Sequence, residues 1–137
     1  MNKNIRFYNA GSSECFGDCS NESATEISNF KPLSPYASAK VASHNLVKTY
    51  RENFGLFAAT GFLFNHESPL RPNNFVIKKI IKAAYNISNG KNEKLLLGNI
   101  NVIRDWGWAP EFVIAIWKMM QIDYPEDFII STGNTIS

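Results

Sequence analysis

The sequence predicts an α/β fold with a parallel sheet, and three observations carry that expectation. Residues 56–64, Leu56-Phe57-Ala58-Ala59-Thr60-Gly61-Phe62-Leu63-Phe64, form a near-continuous apolar run, the pattern of a strand covered on both faces. A second β-prone run, Ile5 to Ala10, precedes it, with a long helical segment between the two, which makes a βαβ unit with a right-handed crossover. Each strand ends in a polar cluster, and open α/β sheets bind ligands beyond the carboxyl ends of their strands.

The elements follow in order. Ile5–Ala10 is bounded by Gly11 and leads into Ser12-Ser13-Glu14, two hydroxyls and a carboxylate at the strand end. In isolation that tripeptide is equally a polar turn capped by Ser. Gly17 to Leu33 is polar and reads as a surface loop. Tyr36 to Phe54 is the first helix, opened by Ser34-Pro35 and closed by Gly55. The strand at 57–64 exits into Asn65-His66-Glu67-Ser68-Pro69-Leu70-Arg71-Pro72. Phe75 to Ser88 is a second helix with an apolar face that includes Val76, Ile80, Ala83 and Ile87. Leu95–Asn99 reads as a short strand and turn, and Ile103–Gly107 as a second extended piece. A third helix spans Pro110 to Gln121, and a last strand lies near 128–132. A small lobe is expected around 75–107.

Composition bounds the function. The 137 residues suit one domain, and 45% apolar with 19% charged content is that of a globular chain. A net charge of +2 gives no basic surface for nucleic acid. No run approaches the ~20 apolar residues of a membrane helix. Met1 to Arg6 has no apolar core of a signal peptide, which points to the cytoplasm. Cys15 and Cys19 have only His44 and His66 as further ligand candidates, so free thiols are expected and no metal site. The sequons at Asn21 and Asn86 are read as coincidental, and there are no internal repeats.

The chemistry concentrates in Ser34-Pro35-Tyr36-Ala37-Ser38-Ala39-Lys40. Ser caps a helix, Pro fits its first turn, and Tyr36 and Lys40, four apart, share one face. An ammonium beside a phenol favours the phenolate and makes the tyrosine usable for acid–base work. The same spacing also occurs in helices that merely carry a solvated Lys and a half-buried Tyr. His66 alone is equally a packed histidine, and Arg71 a surface charge.

Taken together the motifs resemble one family. Ser12-Ser13-Glu14, Ser34-Pro35-Tyr36 with Lys40, Asn65-His66-Glu67-Ser68-Pro69, Arg71, Leu97-Gly98-Asn99 and Arg104-Asp105-Trp106-Gly107 fall in the order and spacing of GDP-mannose 4,6-dehydratases, extended short-chain dehydrogenases that use NADP. The resemblance runs from Arg6 to Gly133. It implies a partial Rossmann-like parallel sheet, late strands only, with part of the substrate-binding lobe. It also implies conversion of GDP-mannose to GDP-4-keto-6-deoxymannose and, in the full-length family, a homo-oligomer.

The resemblance assigns roles by position. Tyr36 matches the acid–base tyrosine, and Lys40 the lysine that tunes it and holds the nicotinamide ribose. Glu14 matches the base that takes the C5 proton. Ser12 stands where the family usually has Thr and keeps the hydroxyl that bonds O4. His66 and Arg71 match NADP-binding positions. Asn65, Val76, Lys79, Gly98 and Arg104 match positions around the GDP-sugar, with Arg104 at the diphosphate.

Departures from the family pattern are also visible. The sequence has no G-x-x-G-x-x-G, so residues 1–137 are expected to be a single partial domain, an internal fragment lacking the Gly-rich cofactor half and the C-terminal end. Leu70 and Pro72 replace a usual Arg and Gly; Trp108 and Pro110 replace a usual His and Lys. The alternatives are a truncated non-catalytic remnant, or another extended short-chain dehydrogenase acting on a nucleotide sugar. Without neighbouring strands, Ile5–Ala10 is expected to be an exposed apolar edge.

Overall fold

The computed structural model describes residues 5–19 and 22–136; Met1 to Asn4 and the first sequon's Asn21 lie outside them. In chain order the elements are β1 (Arg6–Ser12), α1 (Pro35–Phe54), β2 (Phe57–Leu63), β3 (Asn65–Glu67), α2 (Val76–Ser88), β4 (Arg104–Trp108), α3 (Ala109–Met119), β5 (Phe128–Ile130) and β6 (Thr135–Ile136), with a short 3-10 turn at Ser13–Phe16 after β1. The three parallel strands expected from the sequence form one sheet in the order β1-β2-β5. A second small sheet follows: β3 runs parallel to β4, and β4 antiparallel to β6.

β2 is the centre, and its sequence explains why. Ala58 to Phe62 are all buried, because one face of the strand meets α1 and the other meets α3. Ala59 packs with Phe112 and Met119 of α3 and with Ile130 of β5. On the opposite face Phe62 packs with Cys15 and Phe16, and with Phe30 and Val41 partly buried beside them. Both cysteines are unbonded thiols, and burial pushes the thiol pKa of each up.

α1 begins as its sequence demands. The Ser34 hydroxyl accepts the Ala37 N–H at 3.0 Å, Pro35 fills the first turn, and Gly55 closes the helix at φ 63°, a left-handed conformation that favours glycine. A polar network then fixes the helix to the sheet. Ser43 donates to Asn9 of β1 at 2.9 Å, and Asn9 donates to Thr60 of β2 at 3.2 Å. The Thr60 hydroxyl also lies 3.2 Å from His44 Nδ1. Arg51 forms a two-pronged pair with Asp127 at 2.8 and 2.7 Å, and Asp127 also accepts the Thr60 N–H at 2.7 Å.

Each group in that network titrates according to its surroundings. Burial alone would push Asp127 up, but the Arg51 hydrogen bonds and the Thr60 N–H outweigh it and hold the carboxyl below the usual range. Burial pushes the His44 pKa down against the pull of Asp127. The sequence reading missed this cluster, because its members are spread from residue 9 to residue 127.

One expectation is corrected. Leu95–Asn99 is not a strand: among the described residues none pairs with it, and Leu96 is 79% exposed. In the region 75–107, β4 pairs with β3 and β6 in a sheet separate from the main one, and Ile81 and Tyr85 of α2 are exposed. Ile103–Gly107 does form an extended piece, as β4.

The two edges of the main sheet differ. At β5 the outward Ile129 N–H is taken by the Glu26 carboxylate at 2.9 Å. At β1, Ile5 and Phe7 are exposed, as expected, and with Leu46, Tyr50 and Leu56 they line an apolar cleft of about 420 Å³.

Candidate functional site

The strand ends bring the first cluster together. β1 finishes at Ser12, whose side chain accepts the Glu14 N–H at 3.3 Å and so caps the 3-10 turn that turns Glu14 outward. The Glu14 carboxylate accepts the Ser34 hydroxyl at 3.3 Å. Ser34 is the cap of α1, two residues before Tyr36, so one side chain ties the carboxylate to the start of the tyrosine's helix.

Tyr36 is half exposed at this end of α1. Lys40 lies one turn on, its ammonium 5.6 Å from the Tyr36 ring centre, and it donates to the Ala10 carbonyl of β1 at 2.9 Å. That bond fixes the ammonium at the carboxyl end of the strand and uses one of its three hydrogens. Ser12, Glu14, Tyr36 and Lys40 therefore stand around one strand end, built by β1 and the first turn of α1.

The second cluster leaves the neighbouring strand. Ser12 is in register with Leu63, so the chain entering Asn65 emerges beside the first cluster. His66 Nδ1 lies 2.9 Å from the Phe64 carbonyl, and the ring lies 4.9 Å from that of Phe112. A carbonyl only accepts, so Nδ1 is the donor of this bond, and Nε2 is not used by it. Arg71 holds Glu67 through Nε at 3.2 Å and lies over the Phe75 ring at 4.0 Å, leaving its terminal nitrogens free of that pair.

The remaining candidates are placed less tightly. Val76 opens α2 and is partly exposed, with Lys79 one turn along the same helix. Gly98 lies in the irregular segment, where an added Cβ would meet nothing within 4 Å. Arg104 starts β4, exposed, and among the described residues its guanidinium hydrogen-bonds only the adjacent Ile103 carbonyl, at 2.9 Å. Among the described residues no group of three or more His, Cys, Asp and Glu side chains gathers to hold a metal ion, and no helix is long and apolar enough to cross a membrane.

A family model described as GDP-mannose 4,6 dehydratase matches residues 1–137. The chain belongs to that family. It is 46% identical over 136 residues to GDP-mannose 4,6 dehydratase 2 of Arabidopsis thaliana, covering 98% of this chain and 36% of the relative. It is 44% identical over 133 residues to the GDP-mannose 4,6-dehydratase of Vibrio cholerae, covering 97% of this chain and 36% of the relative. The chain thus spans just over a third of the length of these relatives.

Solved structures agree on the fold. A UDP-N-acetylglucosamine 4-epimerase from Methanobrevibacter ruminantium, in complex with UDP-N-acetylmuramic acid, superposes with a TM-score of 0.83 at 28% identity, covering 97% of this chain and 43% of that one. RMD from Pseudomonas aeruginosa, complexed with NADPH, reaches 0.88 at 21% identity, covering 96% and 46%. The parallel sheet of this chain is the Rossmann-like sheet of those enzymes.

Proposed function

We propose that these 137 residues carry the acid–base and sugar-nucleotide side of a GDP-mannose 4,6-dehydratase. One observation supports this most directly: the Glu14 carboxylate is tied through Ser34 to the helix start that presents Tyr36, so a base and a phenol share one strand end. Two acid–base groups of different type, side by side, suit a reaction that moves two different protons.

The nicotinamide, when bound, would accept a hydride from C4 of the sugar and return it to C6. The chain's own residues do the rest. Tyr36 takes the proton of the 4-hydroxyl, with the Lys40 ammonium over its ring. Ser12 donates a hydrogen bond to O4. Glu14 takes the C5 proton, which the adjacent 4-ketone makes acidic, as hydroxide leaves C6; the two protons taken from O4 and C5 are given back, one to that hydroxide as water and one to C5 as hydride reaches C6. Arg104 holds the diphosphate, for which its planar fork is well suited. Asn65, Val76, Lys79 and Gly98 surround the GDP-sugar.

The residues fit the nicotinamide-ribose end of NADP. Lys40 keeps two ammonium hydrogens beyond its bond to Ala10, and Tyr36 stands open beside it. His66 Nε2 and the terminal nitrogens of Arg71 complete that side. The pyrophosphate cradle is not among these residues, so we read 1–137 as one partial domain that works within a larger assembly of its family. Two free cysteines suit a reducing, cytoplasmic compartment. The coverage of 36% also fits the second reading, a truncated chain that binds a nucleotide sugar without turning it over.

A chimera tests the proposal. This chain replaces the matching segment of the Arabidopsis relative, and GDP-mannose conversion with NADP is followed. Turnover is expected, and Glu14→Gln or Tyr36→Phe should each lower kcat by about 100-fold or more, the scale of lost acid–base catalysis. A folded, NADP-binding chimera without turnover would favour the binding-only reading.

A further inference from the structure

Asp105 has no part in the reaction above, yet it is among the most completely enclosed charged groups of the chain, 4% exposed. Among the described residues no cation stands within ion-pair distance of it. Its carboxylate is satisfied instead by three donors from one turn. The Thr132 N–H lies 3.0 Å from Oδ1, the Thr132 hydroxyl 2.9 Å from Oδ2, and the Gly133 N–H 2.7 Å from Oδ2. A buried charge without a counter-ion is costly unless hydrogen bonds meet it, and this one is met by a preformed nest.

The location of that nest is informative. The turn at 132–133, with Gly133 at φ 75°, feeds β6, and β6 returns to pair with β4 at the positions of Arg104 and Asp105 themselves. The carboxylate thus closes a small loop of chain onto its own strand. On the other side β4 is set by pairing with β3, and by Gly107, where an added Cβ would lie 2.1 Å from the Phe112 ring. Side chains alternate along a strand, so Arg104 and Asp105 project to opposite faces of β4.

Among the described residues Arg104 has no anchor beyond its own strand: its one side-chain bond there is to the carbonyl of the preceding residue, which moves with it. Its place in the site is therefore the place of the β4 backbone. We propose that Asp105 is a positioning residue for Arg104: its clasp on Thr132 and Gly133 holds the β4–β6 pair in the register that presents the guanidinium to a nucleotide diphosphate. This rests on the reading of Arg104 as the diphosphate contact.

The test is a double-mutant cycle on the 137-residue chain, titrated with GDP by calorimetry, with amide hydrogen exchange read on the same proteins. Asp105→Asn keeps the size but turns an amide towards one of the three donors. It should weaken GDP binding about fivefold in the presence of Arg104 and by less than about twofold in an Arg104→Ala background, because coupled residues do not add. Thr132→Val, which keeps both N–H donors, should shift binding in the same direction by less. In Asp105→Asn, exchange should speed up in the β4–β6 amides and not in the β1–β2 amides. An equal loss of binding with and without Arg104, or unchanged β4–β6 exchange, would overturn the inference. If the wild-type chain binds no GDP, the diphosphate reading fails for the isolated chain, and the exchange comparison still decides whether Asp105 holds β4.

Discussion

Two helices of this chain, α1 and α2, are both legible in the sequence and behave differently in the fold. α1 is fastened at every turn: Ser34 caps it, Lys40 reaches Ala10, Ser43 and His44 join the Asn9–Thr60 network, and Arg51 grips Asp127. α2 has the cleaner apolar stripe and buries little of it. Only Ala83 is buried, while Ile81 and Tyr85 are 60% and 67% exposed. An apolar face specifies that a helix must be covered, and says nothing about whether the same 137 residues supply the cover. A helix of 13 residues without tertiary burial is marginal in water. The chain is thus firm where it carries Tyr36 and Lys40, and open where it carries Val76 and Lys79.

The largest effect expected from breaking this contrast is at Arg51. Arg51→Ala leaves the Asp127 carboxylate mostly buried without its counter-ion, and should cost about 3 kcal/mol in urea unfolding. A loss under 1 kcal/mol would mean that α1 is held by its apolar contacts alone.

Acid should act on the same cluster. His44 has a lowered pKa in the fold, so between that value and the unfolded value near ~6.5 the unfolded chain binds more protons. Its contribution is present above about pH 6.5 and is lost as pH falls through that window. Asp127, lowered in the fold, adds a second loss only below about pH 4. The melting temperature should fall between pH 7.5 and 5.5, and His44→Gln should flatten that slope; an unchanged slope would remove His44 as its source.

A smaller change, of opposite sign, is expected at Tyr8. Its hydroxyl is buried with no hydrogen-bond partner among the described residues, and burial pushes its pKa up to about 12. Tyr8→Phe removes an unmet polar group and should raise stability by about 1 kcal/mol. A loss of stability would reveal a partner for that hydroxyl, such as an ordered water.

The smallest effect is expected on α2. Ile81→Lys should change the unfolding free energy by less than about 0.5 kcal/mol, as for other exposed positions. A loss as large as that of Arg51→Ala would show that the apolar face of α2 is covered in solution, and the contrast between the helices would disappear.

Legibility followed the range of the interactions. The α1 boundaries were readable because capping is local: Ser34, Pro35 and Gly55 each act within one turn. β2 was readable because a strand covered on both faces is apolar nearly throughout, with Thr60 its one polar side chain. The segment 95–99 misled, because three leucines in a row resemble a strand whether or not a partner strand exists. The site was legible as residue types in order, by resemblance to a family. The Glu14–Ser34 contact and the Asp105 clasp were not, since each joins residues 20 or more positions apart.

By itself the sequence determined the βαβ core, the helix ends and the family, because local propensity and ordered motifs act within short windows of chain. Tertiary structure alone decided which polar groups meet. It placed Lys40 on Ala10, Arg51 on Asp127 and Asp105 on Thr132, and it left α2 uncovered. The physical reason is that hydrogen bonds and burial depend on distances in space, and a parallel sheet with crossovers brings together residues whose separation along the chain carries no trace of that proximity.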